Sequence, residues 1–319
     1  MLNPLQRRML RRRLLQAIPV LFLATFSVFM LMKLLPGDVA VVLAGEQATD
    51  ERIAEIREIY GLNRPLLVQY GDWVLGAVTG DLSQSLLSGE EISTTIARVF
   101  PNTLFIVGYA ILISIVLGVP LGVLAASRPN TWVDKFVMTF SSVGVALPNF
   151  WLAMIFVGAF ALNRAWLPAT GFVPPQEDFF AAVAHATLPA VALAASGVAE
   201  VARQLRSSLV EILQSQHFRT LHAKGLHPRA MLWRHGLRNV SVNLLTVISL
   251  LVNRTLAATV VVEAVFAIPG MGTTMVNATL QRDFPVVQGV VLMMVLTVIT
   301  VNLITDMLYS VLDPRIGQK

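Results

Sequence analysis

Cysteine is absent from the 319 residues of this chain. Its absence excludes a disulfide framework, catalysis by a thiolate and a zinc site built on cysteine ligands. Charged residues are also scarce, at 13% of the sequence, whereas soluble domains carry roughly a quarter. Hydrophobic residues make up 55% of the chain, and this balance predicts a polytopic membrane protein.

Lysine occurs only four times, and the residues that follow it exclude one common way of binding ATP. A phosphate-binding loop has Gly-x-x-x-x-Gly-Lys followed by Ser or Thr, because the lysine contacts the phosphates and the hydroxyl holds Mg²⁺. No lysine here is followed by Ser or Thr. The sequence also lacks the His-Glu-x-x-His and Gly-x-Ser-x-Gly motifs of hydrolases. We therefore expect neither enzymatic activity nor a cofactor in this chain.

Histidine is concentrated in one polar stretch, which raises the question of a metal site. Four of the five histidines lie there, and the first three are five residues apart (His217, His222, His227 and His235). Paired metal ligands on a helix are typically four residues apart, because that spacing puts both side chains on one face. We therefore expect no metal site and interpret the stretch as a solvated loop.

Six apolar segments are long enough to cross a bilayer of about 30 Å. They are predicted at residues 14–35, 101–126, 136–162, 186–205, 240–262 and 286–309. Basic residues concentrate in segment 1–13, in the loops that six spans place on the same side, and in the tail 313–319. Both termini are therefore predicted to be cytoplasmic, and the net charge of +5 reflects membrane topology rather than nucleic-acid binding.

Residues 36–98 form a polar segment between the first two predicted spans. Acidic residues outnumber basic ones there, which places the segment on the opposite, extracytoplasmic side. Thr49-Asp50-Glu51 is typical of a helix start, and the isoleucines that follow recur at helical spacing until Gly61. We expect a small extracytoplasmic helical segment.

The longest hydrophilic stretch between two later spans is residues 206–239, hereafter the central loop. Each ionised side chain would cost roughly 2.5–3.5 kcal/mol inside the bilayer, so the loop lies in water. Gly225 and His227-Pro228 interrupt it, since proline removes a backbone donor and disfavours helix at the residue before it. The pattern predicts a helix, a tight break and a second helix. Such a compact, water-exposed unit is suited to docking on another protein.

Four ionisable residues in or beside the predicted spans are candidates for an ion site or a buried charge pair. Lys33 and Glu263 lie near helix ends, where their side chains are expected to extend to the interface. Arg254 and Asp306 lie deeper. Charges at that depth either pair with each other, pair at a subunit interface or line a transport pathway, and these alternatives stay open here.

Short motifs spread over the whole chain resemble one family of transport proteins. They resemble the B-type permease subunits of binding-protein-dependent ABC importers of the dipeptide/oligopeptide/nickel family. The motifs are Leu34-Leu35-Pro36-Gly37-Asp38, Tyr60-Gly61-Leu62-Asn63-Arg64-Pro65, Gly80-Asp81-Leu82, Pro101-Asn102-Thr103-Leu104, Gly118-Val119-Pro120-Leu121-Gly122, Val262-Glu263-Ala264-Val265-Phe266, Pro269-Gly270-Met271-Gly272, Asp283-Phe284-Pro285-Val286-Val287-Gln288-Gly289 and Asp313-Pro314-Arg315.

The resemblance implies an all-α membrane protein with six transmembrane helices in the type I permease fold of ABC importers. It also implies that the central loop seats in a groove of a separate ATPase subunit, with Gly225 at a turn, Leu226 in the groove and basic residues at its rim. The residues that match the family's coupling motif are Arg219, Thr220, Ala223, Lys224, Gly225, Leu226, Arg234, His235, Arg238 and Asn239.

The chain departs from the family pattern at three places. Leu221 stands where the family usually has alanine, and Asn243 stands where it usually has proline, which predicts a straighter start of the fifth span. Ser83-Gln84 replaces the more usual glycine after Gly80-Asp81-Leu82.

The partners implied by the resemblance are a second homologous permease subunit, two ATP-binding subunits that hold ATP and Mg²⁺, and an extracytoplasmic substrate-binding protein. The implied location is a bacterial inner membrane, and the expected substrates are short peptides. The same permease type also resembles carriers of nickel chelates, glutathione and sugars.

An ion-coupled secondary carrier is the alternative from another class, and it would have an inverted repeat and buried ion-site carboxylates. The sequence shows no such repeat.

Overall fold

The computed structural model describes residues 4–34, 39–44 and 48–312. These residues form helices joined by loops, and one loop contains an isolated β-bridge between Gln84 and Glu91. The motif residues Leu35-Pro36-Gly37-Asp38 and Asp313-Pro314-Arg315 lie outside this part of the chain, as does the tail 313–319. The helices are α1 (Pro4–Leu34), α2 (Val39–Ala44), α3 (Asp50–Ile59), α4 (Leu66–Thr79), α5 (Ile92–Ser127), α6 (Trp132–Ala146), α7 (Asn149–Phe156), α8 (Phe179–Leu213), α9 (Gln216–Ala223), α10 (Pro228–Ala230), α11 (Leu237–Val265), α12 (Met271–Leu280) and α13 (Phe284–Leu312).

Five stretches of helix in the described residues are long and apolar enough to cross a membrane. They are Leu10–Leu34, Ile92–Ser127, Phe179–Leu213, Pro228–Val265 and Phe284–Leu312. A sixth span results if α6 and α7, extended by a π-helical turn to Leu162, are counted as one, although they are bent by 96°. The bend falls at Leu147-Pro148, because proline disfavours helix at the residue before it and Leu147 is extended (ψ 128°).

The helix α8 is longer than the span predicted at residues 186–205. Its first turn is capped by Asp178, whose side chain accepts a hydrogen bond from the backbone of Ala181 at 3.0 Å. Pro189 lies inside the helix without ending it. At the other end the sequence has no helix breaker where polarity rises, so α8 continues to Leu213 and includes residues 206–213 of the predicted loop. From here on, the central loop means the remaining residues, 214–239.

The chain divides into two compact units. Within its described residues, the first comprises 4–10, 102–269 and 300–312. Its core is rich in alanine from α8, and small residues let the helices approach closely, as is common in membrane proteins. A methyl group added at Gly122 of α5 would lie only 2.8 Å from the carbonyl oxygen of Ala202 on α8. Glycine is therefore needed at this crossing.

The second unit comprises residues 11–34, 39–44, 48–101 and 270–299 of the described chain. Its core packs Ile92 and Ile96 with Met271, Val287 and Val290. A loop is also fixed to the start of α13, because Ser85 Oγ donates a hydrogen bond to Asp283 Oδ2 at 2.5 Å and Leu86 N donates to Oδ1 at 3.1 Å. This unit contains most of the predicted extracytoplasmic segment.

The helix start predicted at Thr49 is confirmed. The Thr49 side chain accepts a hydrogen bond from Arg52 N at 3.4 Å, and α3 ends just before Gly61, whose φ of +62° favours glycine. Hydrogen bonds from its own backbone N–H and from the Thr49 hydroxyl lower the pKa of Glu51. The following helix α4 was not predicted, although Gly80 ends it in the left-handed conformation expected of a glycine cap.

Candidate functional site

The first half of the central loop is a short helix that ends in a glycine turn. The helix α9 is closed by hydrogen bonds from Gly225 N to His222 O (2.9 Å) and from Leu226 N to Leu221 O (3.3 Å). These two bonds and the left-handed φ of +78° at Gly225 define a Schellman motif. The prediction that Gly225 makes the turn is confirmed.

The second half of the central loop restarts as a helix at Pro228. His227 caps it, because its Nδ1 accepts a hydrogen bond from Arg229 N at 3.2 Å, and proline at the first helical position sacrifices no hydrogen bond. The chain then makes a π-helical turn at Met231–Gly236 that leads directly into α11. The loop is therefore helix, turn and helix, as the sequence predicted.

The central loop packs closely on the end of α8. Phe218 is fully buried in α9, and Gly236 lies so close to Leu209 of α8 that an added methyl group would approach Leu209 Cδ2 to 3.0 Å. Leu209 is itself fully buried. Movement of the loop is thus mechanically linked to α8 as well as to α11.

The residues that match the family's coupling motif are predominantly on the loop's exposed face. Leu226 and His235 are half-buried, and Gly225 is exposed at the turn. The other seven are exposed: Arg219, Thr220, Ala223, Lys224, Arg234, Arg238 and Asn239. Four of these seven are basic, so the face presents donors and positive charge to whatever contacts it.

Two family motifs distant in sequence meet inside the first unit. Thr103 Oγ1 donates a hydrogen bond to Glu263 Oε1 at 2.6 Å, and Asn102 Nδ2 donates to the carbonyl oxygen of Pro269 at 2.8 Å. Glu263 is completely buried. The expectation that Glu263 extends to the membrane interface is therefore wrong, because a buried hydroxyl donor holds its carboxyl group inside the protein.

Arg254 forms an ion pair that the sequence did not reveal. Its Nη1 lies 2.7 Å from Oε2 of Glu200 on α8, and it is near the middle of α11. The Arg254 side chain is 62% exposed, whereas that of Glu200 is 16% exposed. Asp306, the other deep charge singled out from the sequence, is half-buried on α13.

Comparison with family models shows the family to which the chain belongs. Residues 118–318 match the model described as the inner membrane component of binding-protein-dependent transport systems, and residues 6–107 match the model of its N-terminal part. The chain belongs to this family. It is thus the membrane component of a transport system, and the expectation that it is not an enzyme is confirmed.

Curated relatives match the permease along almost its whole length. A putative peptide transport system permease protein of Brucella abortus is 37% identical, with 96% of this chain and 97% of the relative covered. An oligopeptide transport system permease protein of Bacillus subtilis is 34% identical, with coverage of 96% and 98%. A glutathione transport system permease protein of Escherichia coli is also 34% identical, with coverage of 97% and 98%.

A solved transporter confirms the predicted fold class. In the inward-facing methionine ABC transporter MetNI, one chain superposes on this permease with a TM-score of 0.57 at 16% sequence identity. The match covers 68% of this chain and 96% of that chain. The permease therefore has the all-helical type I fold of ABC importers.

The histidines of the central loop do not gather into a metal site. Across residues 4–34, 39–44 and 48–312, no three His, Asp or Glu side chains come together as a metal ion would require. Two ion pairs, each with one partner on α8, were not predicted from the sequence: Asp134–Arg206 and Glu200–Arg254. Glu200 is the one acidic residue of the span predicted at residues 186–205, so a charge count could have found it, whereas Asp134 and Arg206 both lie outside the predicted spans.

Proposed function

We propose that this permease forms half of the translocation pathway of an ATP-driven importer for short peptides. A second homologous permease subunit forms the other half. The proposal on substrate is supported by relatives named as peptide and oligopeptide permeases, which match over 96% of the chain. Near-complete coverage supports a shared architecture rather than one shared motif.

The central loop is proposed to dock on one of two ATP-binding subunits, which bind ATP and Mg²⁺ in place of this chain. The single observation that carries this proposal is the exposed basic face around the Gly225 turn. A partner groove with acidic side chains would complement Arg219, Lys224 and Arg234. Charge pairing at the rim of such an interface mainly sets association rate and specificity, whereas the turn fixes the shape.

The contacts of the central loop explain how docking would move the membrane spans. The loop packs on Leu209 at the end of α8 and continues into α11 without a flexible linker. Closure of the ATP-binding subunits would therefore displace α8 and α11 together. Such rigid-body rocking exposes a pathway alternately to the two sides of a membrane.

The proposed location is the inner membrane of a bacterium, with both termini in the cytoplasm. This orientation puts the central loop inside, where ATP is available, and segment 36–98 outside, where it can contact a substrate-binding protein. The basic residues of the central loop support it, because positively charged loops stay in the cytoplasm.

The ion pair of Arg254 and Glu200 is proposed to face the translocation pathway or the second permease subunit, and Asp306 is assigned to the same role. An exposed arginine at this depth is strongly disfavoured in contact with lipid. Water in a translocation pathway, or polar groups of the second permease subunit, would stabilise the charge of this arginine.

The decisive experiment is affinity purification of the tagged permease in mild detergent, followed by reconstitution into liposomes. We expect a second permease and ATP-binding subunits to copurify, and labelled dipeptides to enter only when ATP and the binding protein are supplied. Uptake by the chain alone, driven by an ion gradient, would instead establish a secondary carrier.

Glutathione is a second candidate substrate. A relative named as a glutathione permease is 34% identical to this chain, the same identity as that of the Bacillus oligopeptide permease. Competition in the same liposomes separates the two. If glutathione abolishes dipeptide uptake at equal concentration while unrelated tripeptides do not, glutathione is the preferred substrate.

A further inference from the structure

The second unit contains a cavity of about 350 Å³ that no part of the proposed function uses. Three helices line it: α1 through Phe29 and Lys33, α4 through Trp73, and α13 through Phe284 and Gln288. Ligand pockets usually range from about 300 to 1,000 Å³, so this volume suits a small polar group.

Two buried hydrogen-bond donors on residues that line the cavity have no acceptor in the described part of the chain. Gln288 is only 7% exposed, and its Nε2 has no hydrogen-bond partner among the residues that the structure describes. The indole Nε1 of Trp73 likewise has no hydrogen-bond partner among these residues. Trp73 and Gln288 both line this cavity. Because buried polar groups are nearly always hydrogen-bonded, two such donors on residues of one cavity wall indicate that an acceptor-bearing ligand belongs there.

Charged groups of both signs line the same cavity. Lys33 Nζ is held by Gln69 Oε1 at 2.9 Å and lies 5.7 Å and 5.8 Å from the ring centres of Phe29 and Phe284. Arg64 pairs with Asp72 at 3.0 Å, with both side chains more than half exposed, and Asp81 adds a second carboxylate. Among the described residues, the two cations and two carboxylates of the cavity wall balance, which favours a zwitterionic ligand over a purely anionic one.

The cavity's position along its helices places it at the level of lipid headgroups. Phe29 and Lys33 belong to the last turns of the span Leu10–Leu34, and Phe284 and Gln288 belong to the first turns of Phe284–Leu312. Span ends lie at the boundary between hydrocarbon and water. Leu31 and Leu34, next to the cavity on α1, are 62% and 78% exposed and offer apolar surface for acyl chains.

We propose that this cavity binds the headgroup of a zwitterionic phospholipid with a primary ammonium group, phosphatidylethanolamine. The phosphate oxygens accept hydrogen bonds from Trp73 Nε1, Gln288 Nε2 and the Lys33 ammonium. The lipid ammonium donates to the carboxylates of Asp72 and Asp81. The bound lipid would join α1, α4 and α13 at the outer surface of the membrane.

The test is lipid titration of the delipidated complex, containing this permease and its copurifying subunits, followed by native mass spectrometry. We expect one tightly held phosphatidylethanolamine per copy of this chain. Trp73→Phe and Gln288→Met each remove one donor, and each should weaken binding about tenfold. The matched controls Trp132→Phe and Gln281→Met change exposed residues and should bind as the unmodified complex does.

Comparison of ligands identifies the source of the bound headgroup. Glycerophosphoethanolamine, inorganic phosphate and dialanine, each at the lipid's concentration, should fail to displace phosphatidylethanolamine, and phosphatidylglycerol should bind more weakly. Affinity in both cavity variants equal to that of the unmodified complex would overturn the site. Displacement by a soluble compound would overturn the assignment to lipid, and equal binding of phosphatidylglycerol would overturn the zwitterion argument.

Discussion

Arg206 holds Asp134 in a two-bond salt bridge, with Nε 2.9 Å from Oδ1 and Nη2 2.6 Å from Oδ2. Asp134 is almost fully buried in the first turn of α6, where its carboxylate also accepts a hydrogen bond from Asn130 N. Arg206 lies near the end of α8. The pair therefore fixes two helices to each other at the end of α8 that leads into the central loop.

Removing the arginine should destabilise the permease more than removing a neighbouring charge. Arg206→Ala leaves a buried carboxylate without its partner, and such losses cost roughly 3–5 kcal/mol. We expect a clearly lower melting temperature in detergent, with Arg206→Lys intermediate because lysine cannot make the two-bond contact. The control is Arg203→Ala on the same helix, and an equal loss in that variant would contradict the role of the pair.

The salt bridge also marks where prediction from sequence ended. Apolar run lengths predicted the helical membrane fold, and glycine and proline chemistry predicted the turn at Gly225, because both depend on local sequence. Asp134 and Arg206 are 72 residues apart. Their meeting depends on how α6 packs against α8, which no local pattern encodes.

The same limit explains the errors. Glu263 was expected at the membrane interface because it lies near a helix end, yet its hydroxyl partner Thr103 comes from another helix. The bend at Leu147-Pro148 had a visible proline, but a proline does not reveal whether a helix kinks or stops. Pro189, inside the unbroken α8, shows the other outcome.

The turn in the central loop gives a sharp test of coupling. Gly225→Pro removes the N–H that bonds to His222 and cannot adopt the positive φ, so it should abolish ATP-driven uptake while the protein still inserts into the membrane. Gly225→Asn is the matched control, because asparagine tolerates this conformation, and it should retain most uptake. Leu226→Asp should behave like the proline variant.

Docking of the central loop is measured by how far it protects a single introduced cysteine from chemical labelling. The chain has no cysteine of its own, so only the introduced one reacts. Ala223→Cys should react with a maleimide quickly in the isolated permease and at least several-fold more slowly once the ATP-binding subunits are present. Normal uptake by Gly225→Pro, or unchanged labelling of Ala223→Cys, would refute docking through this face.

The pair of Glu200 and Arg254 predicts compensation between two substitutions. Glu200→Arg places two positive charges together at the depth of the membrane and should sharply reduce uptake or assembly of the complex. Adding Arg254→Glu restores opposite charges and should recover part of the loss, which a double-mutant cycle quantifies.

The control for that cycle is Glu211→Arg, an exposed position on the same helix, which should not be rescued by Arg254→Glu. The readout also separates the two proposed roles. Low yield of complex in Arg254→Ala indicates a subunit interface, whereas full assembly with slow uptake indicates the pathway. No recovery in the double variant would mean that the pair does not act as a unit.

Membrane orientation follows from single cysteines on opposite sides of the spans. Ser88→Cys lies in an exposed turn of segment 36–98, and Ser127→Cys lies at the exposed end of α5 beside Arg128. Both changes replace one atom in a side chain, so neither should disturb insertion. In intact spheroplasts, an impermeant maleimide should label Ser88→Cys, and Ser127→Cys should react only after the membrane is opened. The reverse order of labelling would place the basic central loop outside, where no ATP-binding subunit could reach it.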